Sequence, residues 1–248
     1  MEQVLLVTGA SRGIGAATAL LAASKGYAVA VNYTSNAKAA QDVVSRIRAE
    51  GGKAIAVQAD VAEEEQVLAL FAAVDAQLGR LTAFVNNAGV VDVSARLDEM
   101  SVARLKRMFD INVIGAMVCA REAVRRMSTR HGGSGGAIVN VSSAASRLGA
   151  PGQYLDYASA KGAIDSFTLG LAKEVAAEGI RVNAVRPGLI DTEIHASGGI
   201  PDRVQKLAHL VPMQRGGSAH EVAEAIVWLL SPQASYTTMS LIDVSGGR

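Results

Sequence analysis

The sequence predicts a single α/β domain, a doubly wound parallel sheet with helices on both faces. Three observations carry that expectation. Short β-branched runs alternate with long alanine-rich stretches of helical period, strand then helix, six times over. Several strand runs are apolar throughout instead of alternating, which is the pattern of strands buried on both faces. No long Pro/Ser/Gly linker divides the 248 residues, because the cluster from Gly132 to Gly136 is too short to separate domains.

The first strand is the wholly apolar run Val4 to Val7, and a glycine turn feeds it into a helix from Gly13 to Lys25. Ala28 to Asn32 is the second strand, followed by a helix near Ala37 to Glu50. Ala54 to Gln58 and a helix near Glu63 to Leu78 make the third unit. Ala83 to Asn86 is the fourth strand, and apolar residues at helical spacing then predict one long helix from Val102 to Met127. Ala137 to Val141 leads to a helix from Tyr154 to Glu178, and Ile180 to Val185 is the sixth strand. A helix at Ala219 to Leu230 and a last strand at Leu241 to Val244 finish the pattern. The stretch from Asp191 to Gly217, about 191–217, lacks strong strand or long-helix signals. It would lie beyond a strand's carboxyl end, where open α/β sheets bind ligands, and is read as a substrate-covering lobe.

Totals exclude other classes. Half the residues are apolar, 19% are charged and the net charge is +1, so the chain closes a core and carries no basic surplus for nucleic acid. The one cysteine, Cys119, sits in an apolar stretch and forms no intrachain disulfide, which suits a reducing compartment. Met1, Glu2 and Gln3 run straight into the first strand without a secretory leader, and no apolar run approaches bilayer length. A cytoplasmic protein with no membrane association is expected. His131, His195, His209 and His220 show no metal-ligand spacing, so no metal is expected, although His195 in the lobe is placed to touch substrate.

Glycine makes up 25 residues, about a tenth of the chain. Gly9, Gly13 and Gly15, with Ser11, Arg12 and Ile14, stand between the first strand and first helix. Glycine allows a sharp turn and close backbone approach, and the helix then offers free N–H groups and a positive dipole end to a pyrophosphate. The spacing is not the usual G-x-G-x-x-G, and alone it also suits a plain turn. An Asp or Glu closing the second strand would select an unphosphorylated ribose. Here Asn32, Tyr33 and Thr34 follow instead, and Arg12 can pair with a 2′-phosphate, so NADP(H) is preferred with NAD(H) possible. Asp60 and Val61 are placed to meet an adenine, though Asp60 also suits a helix cap. Asn87, Ala88 and Gly89 end the fourth strand, where an amide can line the ribose or tie loops together.

Tyr157 and Lys161 stand four apart, on one helix face. Alone they also suit a solvated surface pair. Ser142 and Ser143, at the end of the fifth strand, face the same crevice as the glycine loop. A carbonyl accepting a hydride needs a proton donor and a hydrogen-bond partner for its oxygen. A nearby ammonium would bring tyrosine down from its ordinary value near 10.

Together, Thr8 to Gly15, Asp60, Asn86 to Gly89, Asn112, Ser142-Ser143, Tyr157 to Lys161 and Pro187-Gly188 leading to Thr192 resemble the short-chain dehydrogenase/reductase family. The resemblance covers nearly the whole chain and is close to the glucose-dehydrogenase and 3-oxoacyl-carrier-protein reductase group. It implies a Rossmann-type fold, Tyr157 as general acid/base, and Lys161 lowering its pKa and holding the nicotinamide ribose. It further implies that Asn112 supports a proton-relay water, that Pro187, Gly188, Ile190 and Thr192 flank the nicotinamide, and that Ser143 is the catalytic serine. A homotetramer is implied as well, with long helices and the last strand at interfaces. The activity implied is interconversion of a secondary alcohol or sugar carbinol with its ketone or lactone.

Departures bear on the substrate. Two arginines recognise the acidic carrier in carrier-protein reductases, and the matching positions look like Arg130 and Lys173, where lysine loses the forked geometry. The family's late glycine is replaced by Met239, while the Pro, Arg and Gly pattern survives from Pro212 to Gly217. Carrier-protein reduction is the alternative activity, and a non-catalytic nucleotide sensor is the alternative of another class, opposed by the presence of Tyr157. Enoyl reduction is opposed by the spacing of four between Tyr157 and Lys161, since enoyl reductases use a wider one.

Overall fold

The computed structural model describes residues 3–192 and 202–248. Seven strands form one parallel sheet: β1 (Gln3–Val7), β2 (Tyr27–Tyr33), β3 (Ala54–Gln58), β4 (Ala83–Asn86), β5 (Gly136–Val141), β6 (Ile180–Pro187) and the last strand (Leu241–Val244). Their spatial order is β3-β2-β1-β4-β5-β6-last. The order reverses between β1 and β4, so the loops after those two strands part and leave a crevice at their carboxyl ends.

Apolar runs make the strands two-sided. In β1, Leu5 and Val7 join the core on one face with Val29, Val31, Val44 and Ile226, while Val4 and Leu6 join the other with Phe71, Phe84, Ile138 and Val182. Alternation by two sends neighbouring side chains to opposite faces, and helices cover both. The first face carries α1 (Gly13–Ser24), α2 (Ala37–Ala49) and the helix Ala219–Leu230. The second carries α3 (Glu64–Gln77), α5 (Ala116–Met127) and α7 (Leu155–Val175), the last preceded by the one-turn α6 (Ala145–Leu148). Phe71 and Phe84 pack with ring centroids 5.8 Å apart at a tilt. Burying side chains of that size stabilises by about 1.5–3 kcal/mol each. Cys119 is part of this second face, and burial pushes its thiol up to about 12, which makes it a packing residue and not a nucleophile.

The long helix expected from Val102 to Met127 is interrupted. It begins as α4 (Val102–Phe109), opens into a π turn over Asp110–Gly115, and resumes as α5. The turn ends at Gly115, where a Cβ would lie 2.4 Å from the Val61 carbonyl oxygen, so the helix meets the loop after β3 with no side chain between. A widened turn re-aims Asn112 toward the crevice, a tertiary effect that helical periodicity does not carry.

The stretch from Asp191 to Gly217 contains a short helix, Arg203–Leu207, and a two-residue strand pair, Ile190–Asp191 with Gly217–Ser218. Arg215 forks onto Glu221 at 2.6 and 3.0 Å, and Glu221 closes a capping box on Ser218. The guanidinium and the Ser218 N–H hold the Glu221 carboxyl down to about 2. The Arg and Gly pattern thus anchors this stretch to the helix that follows. His195 lies outside the described residues.

Candidate active site

The glycine loop is built for close approach. Gly9 and Gly13 have φ of +61° and +55°, conformations that side chains rarely adopt. At Gly15 a Cβ would lie 2.5 Å from Asn87 Nδ2, 2.6 Å from the Gly9 carbonyl and 2.9 Å from Ala10 Cα. Helix α1 starts at Gly13 with no side-chain cap, so its first N–H groups and its dipole remain available to an anion. Ser11, Arg12 and Ile14 fill the turn, with Arg12 exposed and Ile14 packed on the core. Asp191 and Thr192 line a cavity together with Gly13 and Ala16 of α1, which brings the turn after Pro187 alongside the glycine loop. These features fit a dinucleotide's pyrophosphate between the two loops.

A polar lock holds the cradle. Thr8 Oγ1 accepts from the N–H groups of Asn87 and Ala88, both at 3.0 Å. Asn87 Nδ2 donates back to the carbonyls of Thr8 (2.8 Å) and Gly9 (3.1 Å). Asn32 belongs to the same lock and turns inward: its Oδ1 accepts from Gly9 N–H and its Nδ2 donates to Val57 and Ala59 carbonyls. Expected at the cofactor, its buried amide is fully spent on backbone. Tyr33 packs on the core and Thr34 is exposed, with its carbonyl accepting from Gln58. Val61 also sits in the core, and the Asp60 carboxylate accepts from Ala62 N–H. Helix α3 takes Glu63, not Asp60, as its N-cap residue.

On the other side of the switch point, α7 brings Tyr157 and Lys161 to the ends of β4 and β5. Ser143 Oγ accepts from Ala145 N–H, and its hydroxyl acts on the Tyr157 phenol. Ser142 is buried and its hydroxyl donates instead to the Lys161 carbonyl at 3.2 Å, so the two adjacent serines face opposite ways. Burial pushes the Tyr157 phenol up to about 12, against the Ser143 hydroxyl, which draws it down. Lys161 Nζ donates to the Val141 carbonyl at 2.8 Å and lies 5.6 Å from the Tyr157 ring centroid. Burial brings its amine down to about 8, with Asp165 opposing the fall. Gly89 leaves room for both neighbours, since a Cβ there would lie 2.7 Å from Asn112 Oδ1 and 3.4 Å from Lys161 Nζ.

Asn112 clamps the loop after β4. Its Nδ2 donates to the Val90 and Met108 carbonyls, and its Oδ1 accepts from Val90 N–H. Pro187-Gly188 turns tightly against the end of the sheet, where a Cβ on Gly188 would lie 2.7 Å from Ser245 Cα. Ile190 is buried among the core residues. Two features escaped the sequence reading. Asn86 and Asn140 bond each other at 3.2 Å between β4 and β5, reaching Ala116 and Thr168 beyond. Arg104 forks onto the buried Asp156, beside Tyr157, and also holds the Val93 carbonyl. Pairs this distant in sequence carry no local signal.

Comparison with known proteins matches this geometry. A family profile described as Enoyl-(Acyl carrier protein) reductase matches residues 9–248. The chain is 58% identical over 245 residues to the uncharacterized oxidoreductase YgfF of Escherichia coli (strain K12), covering 99% of each. It is 41% identical over 249 residues to the cis-4-hydroxycyclohexanecarboxylate dehydrogenase of Sinomonas cyclohexanicum, covering 99% of this chain and 96% of that protein. A short chain dehydrogenase from Burkholderia cenocepacia J2315, solved in complex with NADP, superposes with a TM-score of 0.91 at 32% identity, covering 100% of this chain and 98% of that one. With a glycine cradle and a Ser, Tyr and Lys cluster meeting at the switch point of a seven-stranded parallel sheet, the chain belongs to the short-chain dehydrogenase/reductase family of oxidoreductases.

Proposed function

We propose that the protein is an NADP(H)-dependent oxidoreductase that interconverts a secondary alcohol or sugar carbinol with its ketone or lactone, with Tyr157 as general acid/base. The observation that carries this reading is the convergence of Ser143 and Lys161 on one phenol beside the glycine cradle. The dinucleotide, when bound, supplies or accepts the hydride. Gly9, Gly13 and Gly15 with the start of α1 would hold its pyrophosphate, Asn87, Ala88 and Gly89 would flank its ribose, and Pro187, Gly188, Ile190 and Thr192 its nicotinamide end. The exposed Arg12, and Asn32, Tyr33 and Thr34 in place of a carboxylate at the end of β2, favour a 2′-phosphate. A solved relative in complex with NADP supports the same choice.

In reduction, the Tyr157 phenol, protonated at neutral pH, gives its proton to the oxygen of the substrate carbonyl while the Ser143 hydroxyl donates a second hydrogen bond to that oxygen. Lys161 keeps a positive charge near the phenol, so the phenolate left behind is stabilised. In oxidation the same phenolate takes the alcohol proton. A carrier-protein substrate is less favoured, because the exposed Arg130 already faces Glu178 at 3.9 Å and its partner position is Lys173. Exposed Phe109, Ile114, Met117 and Leu169 and, elsewhere, Trp228 and Tyr236 are apolar surface suited to the expected homotetramer. No helix among the described residues is long and apolar enough to cross a membrane.

The test is a panel of ketones, aldehydes, alcohols and sugars run with both nicotinamide phosphates and their unphosphorylated forms, on the protein and on Tyr157→Phe. The variant is expected to bind NADPH within about twofold of the parent and to lose on the order of 10³-fold or more in kcat. Equal turnover by the variant would defeat the role of Tyr157, and a strong preference for NADH would defeat the role of Arg12.

A further inference from the structure

Asp165 lies one turn beyond Lys161 on α7 and is buried at 8% exposure. Its Oδ2 accepts from Arg186 Nε of β6 at 3.0 Å. Its Oδ1 is buried and takes no hydrogen bond among the described residues. Such an atom is expensive to keep unless a charge close by compensates it. Arg186 from the sheet pairs with this carboxylate, and Lys161 stands one turn before it on the same helix face. Arg186 is shared further, since its Nη1 lies 3.9 Å from Asp243 on the last strand, and Asp243 also takes Arg147 at 3.3 Å.

Among the described residues, no other charged group acts on Lys161. The π turn offers Asn112, the end of β5 offers the Val141 carbonyl with Ser142 and Ser143, and the loop after β4 offers the backbone of Gly89. On α7 itself stand the Tyr157 phenol and Asp165. Asp165 is thus the carboxylate whose charge opposes the loss of the Lys161 proton on burial.

We infer that Asp165 is a positioning residue that holds Lys161 in its ammonium form, and that Arg186 sets how much of the carboxylate's charge Lys161 receives. The inference rests on reading Tyr157 and Lys161 as the proton-handling pair. Asp165 stands eight residues from Tyr157, about 12 Å along the helix, so it acts on the phenol through Lys161. Carbonyl reduction needs the proton on Tyr157 and the charge on Lys161 together, so activity falls as Lys161 is neutralised at alkaline pH.

The chain has seven lysines, and ε-¹³C-lysine NMR with Lys161→Met to assign the signal follows the titration of Lys161 without any substrate. The parent midpoint is expected near 8. Asp165→Asn is expected to lower it by roughly one pH unit, and Arg186→Met, which frees the carboxylate for Lys161, to raise it by a similar amount. The alkaline limb of kcat/KM for NADPH-driven reduction of the best ketone in the panel should move the same way in each variant. A merely structural pair would destabilise both variants without opposite shifts. An unmoved Lys161 midpoint in Asp165→Asn overturns the inference even where Tyr157→Phe is inactive. Should Asp165→Asn fail to fold, the upward shift in Arg186→Met decides the matter, and no shift there overturns it. Shifts in the NMR midpoint with an active Tyr157→Phe would instead sink the catalytic reading and leave the Asp165 contact standing.

Discussion

Thr8→Val isolates the lock between the glycine loop and the loop after β4. Valine keeps the shape of threonine but removes an Oγ1 that accepts from Asn87 N–H and Ala88 N–H, both at 3.0 Å, and reaches the Val85 carbonyl at 3.4 Å. Position 8 is fully buried, so no water replaces the hydroxyl from its own side, while the two amides lie in a part-buried crevice that water reaches in part. Leaving a buried donor unmet costs about 1–3 kcal/mol, and two partly screened ones therefore cost about 2–4 kcal/mol. Against a total stability on the order of 5–15 kcal/mol this is a large fraction. For a chain of this size it corresponds to a fall in Tm of roughly 6–12 °C. Asn87 still holds the Thr8 and Gly9 carbonyls, so the cradle loosens without collapsing, and the NADPH Kd should rise about three- to tenfold. Urea unfolding followed by circular dichroism gives the first number and NADPH fluorescence titration the second. A Thr8→Val protein within about 0.5 kcal/mol of the parent, with NADPH affinity unchanged, would refute the argument that this hydroxyl organises the cradle. Thr8→Ser keeps the acceptor and should restore most of both.

Two further outcomes follow from the same geometry. Gly15→Ala places a Cβ within 3 Å of Gly9 and Ala10 backbone, which cannot yield, so NADPH binding should weaken more than tenfold with a stability loss of about 1–3 kcal/mol; binding like the parent's would show that the loop is slack. Lys161→Met should abolish turnover yet stabilise the fold at pH 7. The amine's fall from 10.5 to about 8 means that the unfolded chain binds more protons between those values, so stability rises with pH across that window and the full penalty stands below it. That penalty is roughly 3 kcal/mol, and with the Val141 hydrogen bond lost the net gain is about 1–2 kcal/mol in urea unfolding; a net loss would contradict it.

The strands and the placement of the candidate site were readable where the information is local. Apolar runs mark β1, β4 and β5 because both faces are covered, and Tyr157, Lys161 and the glycines are fixed by spacing along one helix or one turn. The π turn was not readable, since it falls where Gly115 packs against the Val61 carbonyl, a contact set by packing across 54 positions. Asn32 was read toward the cofactor because it ends β2. Which way its amide turns depends on β3 offering the Val57 and Ala59 carbonyls, and only the assembled sheet shows that. The choice between Ser142 and Ser143 is similar. Adjacency in sequence cannot show that Ser142 turns to the Lys161 carbonyl of α7, which only the assembled fold brings beneath it.

The polar groups buried at this switch point divide into two kinds, and the division explains how the crevice stays rigid while its chemistry stays poised. Thr8, Asn32, Asn86, Asn112 and Asn140 are uncharged and spend their side chains on neighbouring backbone or on each other, so each ties two chain segments together and leaves little to rearrange when a ligand arrives. Lys161 and Asp165 are of the other kind. One holds its charge against burial, and the other keeps an oxygen without a donor among the described residues. Replacing both by apolar residues of the same size would remove two desolvation penalties, which for buried ion pairs is often neutral or stabilising. Stability alone therefore gives no reason to keep them. Their position one turn apart, on the helix that presents Tyr157, is what distinguishes them: an ammonium that is costly to bury is one whose proton responds to its neighbours, and the charged neighbour acting on Lys161 is Asp165.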